Sequence, residues 1–336
     1  MYRINYQAII QEYFLVKNKQ GELQPFIFND TQQYYHNLLK RDYPTMQGIR
    51  ENVLKSRQPG FSTYIDALFA VDFIMSEMGH IPIIDSDIIS YVQEQTLVLF
   101  DRVQLFLESW AAKVAGIPYE ENQDLIRKQL RAEIIDTDQG RKIIGKRGAQ
   151  IHVQTAGAKV SGRGGTKQNV HESEVAFFPN TEILDARKLV TGLEEQVPMG
   201  YGKIFRESTG NTTDDFFSEE FEAGLQPNAE FKSRFLGWYI HKEYSIPAPH
   251  GWEPPKYYDD VRKRYGATID QCYRHFVKTK GLTDKLRMRE NPTYPEEAFL
   301  MGGDPYFSSG ALQHYQSGTR TPLMEAEYVS DIQKAL

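Results

Sequence analysis

Apolar residues at helical spacing mark most of the helices predicted for this sequence. The stretch Ser62–Met78 is the clearest example, because its apolar positions recur at intervals of three and four residues. A second long helical stretch runs from about Asp87 to Ala115, and the charged segment 117–140 also has a helical character. Capping residues predict two more helices, one that begins at Asp30 or Thr31 and one that runs from Asn180 or Thr181 to Gln196.

Short apolar runs and alternating patterns predict the strands. Arg141–Ile144 and Ile151–Thr155 alternate around Gly145–Gly148, which predicts a β-hairpin. The other predicted strands are a run at Val53 and Leu54, the segment His80–Ile84, a strand that ends in Glu174 and the segment Lys203–Phe205. With 336 residues, the chain is long enough for one large α/β domain or two smaller ones.

Composition and charge narrow the classes of function. The single cysteine, Cys272, excludes an intrachain disulfide and a cysteine metal cluster. The net charge of −6 means that any contact with DNA must be local, or shared by several subunits around a channel. Between Arg262 and Arg289, nine Lys and Arg accompany two Asp, which favours either contact with DNA or a neighbouring subunit, or a solvated helix face. The sequence has no signal peptide and no apolar run of ~20 residues, so we expect an intracellular protein without membrane contact.

The segment Val53–Thr63, which reads VLKSRQPGFST, predicts a phosphate-binding loop between a strand and a helix. Pro59 and Gly60 form the turn, and the hydroxyls of Ser62 and Thr63 lie where the helix begins, so backbone N–H groups and the helix dipole point at an anion. The loop departs from the pattern GxxxxGK[ST], because Phe61 replaces the lysine and Ser56 replaces the first glycine. Lys55 can supply the missing cation from the front of the loop, and Arg57 adds a second one. The alternative is an ordinary strand–turn–helix with surface Lys and Arg.

The segment Val160–Asn180 combines a glycine-rich loop that carries Arg163 with a strand that ends in Glu174. A carboxylate at the tip of a strand beside a phosphate loop can orient and deprotonate the water that attacks a γ-phosphate. An aspartate usually precedes such a glutamate, and here Ser173 takes its position. The alternative is a surface turn that contains Glu172 and Glu174.

Two further groups of residues can lie beside a nucleotide. The segment ESTGN, Glu207–Asn211, follows a predicted strand, and ligands bind at the carboxyl ends of strands in open α/β sheets. The amides of Gln32 and Gln33 offer a donor and an acceptor that match the edge of adenine. The alternatives are a plain strand-to-helix turn and solvated glutamines.

Six segments in order give the chain a resemblance to a known family. They are PFIFNDTQ, VLKSRQPGFST, GRGGTKQNVHESEVAFFPN, ESTGN, FLGWYIHKEY and ENPTYPEEAF. From about Pro25 to Phe299, this order resembles the ATPase portion of the large terminase subunit of tailed bacteriophages. The resemblance implies an α/β P-loop NTPase of the additional-strand, catalytic-glutamate class, with a mainly parallel central sheet flanked by helices. Residues 1–245 would form the ATPase core, and residues 246–336 a smaller, mostly helical lid subdomain.

The resemblance also implies a role for each candidate residue. Gln32, in preference to Gln33, would contact adenine, and Lys55 would be a displaced Walker A lysine. Glu174 would be the catalytic glutamate, and Arg163 would reach the ATP of a neighbouring subunit. The ATP-binding loop would comprise Lys55, Ser56, Arg57, Gln58, Pro59, Gly60, Phe61, Ser62 and Thr63, with Arg57 sensing the γ-phosphate and Ser62 ligating Mg²⁺. Ser208, Thr209, Gly210 and Asn211 would form a motif that couples hydrolysis to movement.

Members of the family are ATP-driven, Mg²⁺-dependent motors that pump double-stranded DNA into an empty capsid. The expected partners are therefore double-stranded DNA, further copies of this chain in a ring, the portal protein and the small terminase subunit, in the cytoplasm of the host cell. Because the sequence ends at Leu336, soon after PEEAF, we expect no nuclease domain and no DNA cleavage. The alternatives are another DNA-stimulated ATPase such as a helicase, or a P-loop-like scaffold without turnover.

Overall fold

The structure is a computed structural model that describes residues 4–57, 59–157, 165–181, 185–213 and 215–299. Its strands are β1 (Leu15–Lys17), β2 (Leu23–Pro25), β3 (Ile49–Lys55), β4 (Asp85–Ser90), β5 (Ala132–Thr137), β6 (Gly140–Gly145), β7 (Gln150–Thr155), β8 (Asn169–Ser173), β9 (Lys203–Ser208) and β10 (Lys232–Leu236). Its α-helices are α1 (Tyr6–Tyr13), α2 (Asp30–Asp42), α3 (Phe61–Glu77), α4 (Gln93–Ala115), α5 (Gln123–Leu130), α6 (Ala186–Glu194), α7 (Phe216–Ala223), α8 (Tyr257–Tyr265), α9 (Ile269–Thr279), α10 (Asp284–Glu290) and α11 (Pro295–Ala298).

Within the described ranges, eight strands form one sheet in the order β10-β3-β9-β8-β4-β7-β6-β5. The pairs from β10 to β7 are parallel, and β6 and β5 extend the sheet in the antiparallel direction. The predicted α/β class with a mainly parallel sheet is therefore confirmed. The predicted hairpin is confirmed as well, because β6 and β7 pair around residues 145–148.

Helices cover both faces of the central strands. Neighbouring residues in a strand point to opposite faces, and here both positions are apolar: Val53 and Ile88 enter the core formed with α1–α4, whereas Leu54 and Ile89 enter a second core formed with α6 and α7. Burial on both sides explains why these strands read as continuous apolar runs. The architecture leaves the ends of the strands as the natural place for polar chemistry.

The sequence prediction was wrong between His80 and Ala115. His80–Ile84 contains no strand: Pro82 has no N–H for a sheet, and the strand is β4, which begins at Asp85. The helix predicted from Asp87 therefore begins only at Gln93. Polar residues hid the strand, since Ser86 and Asp87 are both buried within it.

Three smaller predictions also need correction. The segment 117–140 is helical only in α5, and it continues into the edge strand β5. The side chain that caps α2 is Asn29, which forms a capping box with Gln32, rather than Asp30 or Thr31. The cap of α6 is Asp185, rather than Asn180 or Thr181. In each of the two helices, a neighbouring residue of the same capping type competed with the predicted one.

The proline-rich segment 246–255 contains no helix or strand, and the helices α8–α11 follow it. Trp238, Tyr258 and Cys272 form a small core there. The division of the chain at residue 245 stays a prediction. No helix in the described parts of the chain is long and apolar enough to cross a membrane.

Candidate active site

The loop between β3 and α3 lies at the carboxyl edge of the sheet. Every residue of β3 is buried up to Lys55, and the chain then turns through Gly60, whose φ of 70° is a left-handed conformation that glycine adopts without strain. No side chain in the described part of the molecule caps α3. The first N–H groups of α3 are therefore available to an anion, which the helix dipole also favours.

Lys55 connects this loop to two carboxylates. Its Nζ lies 2.7 Å from Oε1 of Glu174 and 3.1 Å from Oε2 of Glu207. Burial by itself would lower the pKa of Lys55, but the two carboxylates raise it above its usual value. The lysine is therefore charged at neutral pH, and its charge is shared between two acceptors.

The hydroxyls and cations of the loop and the tip of β8 surround one cavity of about 510 Å³. Its lining includes most of the predicted ATP-binding loop together with Glu174 and Thr209, and it is completed by Lys55, Arg57, Pro59, Gly60, Phe61, Ser62, Thr63, Tyr91, Gln95, Arg102, Phe177 and Glu290. The structure thus brings together residues that are more than a hundred positions apart in the sequence. Gln58 and Arg163 lie outside the described residues.

Glu174 turns sharply away from the end of β8. Its φ of 56° is left-handed, a conformation that costs a residue other than glycine about 1–3 kcal/mol. Its Oε2 accepts hydrogen bonds from the backbone N–H of Thr209 at 3.0 Å and the hydroxyl of Ser208 at 3.2 Å, while Oε1 faces Lys55. These contacts hold the carboxylate towards the cavity and compensate the strained backbone.

The predicted coupling motif joins the Glu174 turn to the segment before Phe299. The amide of Asn211 donates to the carbonyl of Ala176 at 3.0 Å. Gly210 packs so tightly that a Cβ atom there would lie 2.0 Å from the carbonyl oxygen of Ala298. A glycine is therefore needed at this position for the two backbones to approach.

The front of the loop is fastened to two other elements. The N–H of Ser56 donates to the carbonyl of Leu236, at the end of β10. The N–H of Arg57 donates to the carbonyl of Glu290, and its guanidinium pairs with the same residue's carboxylate at 2.8 Å. The Arg57 side chain is nevertheless 61% exposed, so it has room to turn towards a ligand.

The amide of Gln32 is engaged within the protein. Its Nε2 donates to the carbonyl of Gly60 at 2.7 Å, and its Oε1 accepts from the N–H of Asn29. Gln33 instead contacts Gln7 and Asn37. Contact of either glutamine with adenine stays a prediction, and it requires exchange of one of these partners.

Phe61 occupies the lysine position of the usual pattern for a physical reason. Its side chain is buried, and its ring lies 4.7 Å from that of Tyr35 in an edge-to-face contact. The side chain at this position therefore points into the aromatic core beneath the loop. A lysine there would be buried away from the cavity, whereas Lys55 reaches the cavity from the end of β3.

Sequence reasoning missed Glu207, which lies at the centre of the charged cluster. Its Oε1 accepts hydrogen bonds from Ser62 at 2.6 Å and Ser173 at 2.8 Å, and lies 3.2 Å from Nε2 of His171. Burial alone would raise the pKa of Glu207, but Lys55 and the hydrogen bonds from His171 and Ser62 bring it well below its usual value. The signal in the sequence was a charged residue at the end of an otherwise apolar strand.

His171 extends this cluster towards α3 and α4. Its Nδ1 lies 3.0 Å from Asp66, which Arg102 also contacts at 2.8 Å. Only a doubly protonated imidazole can donate to carboxylates on both sides. The pKa of His171 is accordingly raised by Asp66 and Glu207 in spite of its burial.

The donor set matches the preferences of Mg²⁺ rather than those of a transition metal. The residues that the structure describes contain no group of three or more His, Cys, Asp or Glu that could hold a metal ion by itself. The Ser62 hydroxyl and the two carboxylates are oxygen donors, and Mg²⁺ commonly binds through few protein oxygens together with phosphates and water. These residues therefore fit a nucleotide-bound Mg²⁺.

No protein-family model and no curated protein matches the sequence. Two solved structures with lower similarity are the large terminase ATPase domain of Thermus phage P74-26 (TM-score 0.44, 16% identity, 80% of this chain and 93% of that one) and the large terminase of another thermophilic bacteriophage (TM-score 0.40, 12% identity, 63% and 46%). The structure of the HK97 bacteriophage large terminase has a TM-score of 0.54 at 12% identity, and the match covers 87% of this chain and 55% of that one. This chain therefore has the α/β NTPase fold of a bacteriophage large terminase, and the resemblance drawn from the sequence is confirmed at the level of the fold.

Proposed function

We propose that this chain is the ATP-hydrolysing motor domain of a viral large terminase, which drives double-stranded DNA into a procapsid. The observation that carries the proposal is the convergence of Lys55, Ser62 and Glu174 on one cavity at the carboxyl edge of a parallel sheet. The fold shared with the HK97 large terminase supports it. A cation, a metal-binding hydroxyl and a carboxylate are the parts that phosphoryl transfer to water requires.

The order of the strands supports the additional-strand, catalytic-glutamate class. β9 lies between β3, which leads into the phosphate loop, and β8, which ends before Glu174. An inserted strand between these two is the feature that names the class. In the proposed division, residues 1–245 form the ATPase core and residues 246–336 the lid.

In this proposal, the triphosphate lies across the start of α3. The N–H groups of Phe61 and the residues after it face the phosphates, and Lys55 and Arg57 neutralise part of their charge. Ser62 would hold Mg²⁺, which when bound spreads the negative charge of the β- and γ-phosphates. Gln32, in preference to Gln33, would contact the adenine.

Glu174 acts as the base that orients the attacking water. In the described structure its Oε1 faces Lys55. A γ-phosphate that recruits Lys55 releases this oxygen to accept a proton from water. Arg163 of a neighbouring subunit would then neutralise charge in the transition state, an effect worth roughly 10³–10⁵ in rate in other systems.

Movement would pass from the Glu174 turn through the motif Ser208–Asn211 to the helices α8–α11. Thr209 contacts Glu174, and Gly210 contacts Ala298, so the motif touches both ends of this route. DNA would be held through its phosphates, which makes the contact tolerant of sequence and sensitive to salt. The proposed assembly is a ring of copies at the portal protein, with the small terminase subunit, in the host cytoplasm.

The test is the steady-state ATPase rate of Glu174→Gln. We expect turnover to fall by at least about 100-fold, because the amide accepts a proton from water far less readily. Affinity for a non-hydrolysable ATP analogue should persist. Glu195→Gln is the matched control, because Glu195 is exposed at the end of α6 and distant in the fold from the cavity. Full turnover in Glu174→Gln would contradict the assigned role.

A scaffold without turnover is the second candidate, and the serine at position 173 is the observation that favours it. The two functions separate on the wild-type chain. ATP hydrolysis that rises with protein concentration and with added DNA supports the motor. Nucleotide binding without hydrolysis under every such condition supports the scaffold.

A further inference from the structure

A buried carboxylate lies directly beside the position where Walker B strands usually carry their aspartate. That position is Ser173, the last residue of β8. In the register of the parallel pair β8 and β9, Ser173 is opposite Glu207. The hydroxyl of Ser173 donates to Oε1 of Glu207 at 2.8 Å. The carboxylate missing from β8 is thus present one strand away, on the same face of the sheet.

Glu207 is fully buried, and its contacts are directed at the phosphate loop. Oε1 accepts a hydrogen bond from the hydroxyl of Ser62 at 2.6 Å, the shortest of its contacts with hydroxyl groups. A serine hydroxyl has one proton and two lone pairs. Because the proton of Ser62 is directed to Glu207, the lone pairs remain for a cation on the side of the cavity.

We propose that Glu207 replaces the missing Walker B aspartate by positioning the Mg²⁺-binding hydroxyl of Ser62. This inference rests on the proposed ATP-binding function. Glu207 is a positioning residue here, because it acts through Ser62 and does not itself touch the nucleotide. Partners of metal ligands fix the orientation of the ligand, and their loss typically costs 10–100-fold in metal affinity.

A purely structural role for Glu207 predicts something different. Its Oε2 lies 3.1 Å from Lys55, so the carboxylate also compensates a buried cation. If that were its whole contribution, loss of the charge would change stability and the affinity for nucleotide with or without metal. The proposed role predicts a change that depends on Mg²⁺.

The experiment measures the affinity of the full chain for a non-hydrolysable ATP analogue by calorimetry, once with Mg²⁺ and once in EDTA. The ratio of the two affinities reports metal binding without any turnover. The variants are Glu207→Gln, Glu207→Asp and the double variant Ser173→Asp with Glu207→Gln. Glu172→Gln is the matched control, because Glu172 is an equally buried carboxylate on the opposite face of β8.

We expect Glu207→Gln to lower the ratio about 10–100-fold, while affinity in EDTA does not fall. The double variant should recover most of the ratio, because it returns a carboxylate to the usual strand. Glu172→Gln should keep the wild-type ratio. If Glu207→Gln does not fold by circular dichroism, Glu207→Asp provides the test, since its shorter side chain keeps the charge but draws back from Ser62.

Two results would overturn the inference, and they are distinct. A wild-type ratio in the folded Glu207 variants, with Mg²⁺-dependent binding intact in the wild type, would remove Glu207 from this role and leave the proposed function standing. A wild-type chain that binds no nucleotide would overturn the proposed function and this inference together. Loss of the ratio without recovery in the folded double variant would count against the exchange between positions 173 and 207.

Discussion

Strands β8 and β9 carry buried polar residues at both ends, and the two ends differ in how charge is paired. At the amino end, Lys203 pairs with Asp72, which also accepts hydrogen bonds from Tyr6 at 2.6 Å and Asn169 at 3.0 Å. At the carboxyl end, Lys55 is shared by two carboxylates. One end therefore has a one-to-one pair with its acceptors filled, and the other has one cation between two acceptors.

The difference shows what separates a structural charge cluster from a site that can take a ligand. Cavity size does not separate them, because the cavities at the two ends measure about 530 and about 510 Å³. At the amino end, a ligand would have to break a pair that has no substitute partner. At the carboxyl end, Lys55 can leave Glu174 for a phosphate and still retain Glu207.

The largest expected effect of the comparison is on stability at the amino end. Lys203→Met should lower the free energy of unfolding by about 3–5 kcal/mol, because it leaves Asp72 buried without its cation. Urea unfolding followed by circular dichroism measures this. Lys232→Met is the control, because Lys232 is 47% exposed and only 3.9 Å from Asp42 at best. Equal unfolding free energies for the two variants would mean that the Lys203 pair is not structural.

The next effect is on turnover at the carboxyl end. Lys55→Met should lower the ATPase rate by about 10²–10³, by analogy with the removal of one preorganised donor from a developing charge. Its stability should fall less than that of Lys203→Met, since Glu207 keeps its contacts with Ser62, Ser173 and His171. ATPase assays and urea unfolding on the same preparation test both halves. A Lys55→Met chain that unfolds more easily than Lys203→Met would reverse the comparison.

The smallest effect concerns the contact of Arg57 with Glu290. Glu290→Gln should change the free energy of unfolding by no more than about 1 kcal/mol, because Arg57 is mostly exposed and such pairs contribute little. The backbone hydrogen bond between the two residues is unaffected by the substitution. Urea unfolding again provides the measurement. A loss comparable to that in Lys203→Met would place this pair in the structural class.

Local pattern was sufficient to find the residues that lie in or beside loops. Lys55 and Glu174 could be identified because each ends an apolar run and is followed by a turn. Glu207 could not, because its importance depends on the pairing of β9 with β8 and β3, and the order of strands in a sheet is not written in the spacing of residues. The strand β4 was missed for a related reason, since its buried Ser86 and Asp87 are polar. Side-chain partners from other elements, such as Asn169 for Ser86, stabilise these residues in the core.

The contact between Gly210 and Ala298 has a mechanical consequence. Two backbones that touch without intervening side chains have no rotatable torsions in which a small displacement could be taken up. A shift of the Glu174 turn, carried through Thr209, would therefore reach Ala298 undiminished, as in a gear without backlash. Any side chain at position 210 would add play to this linkage as well as bulk.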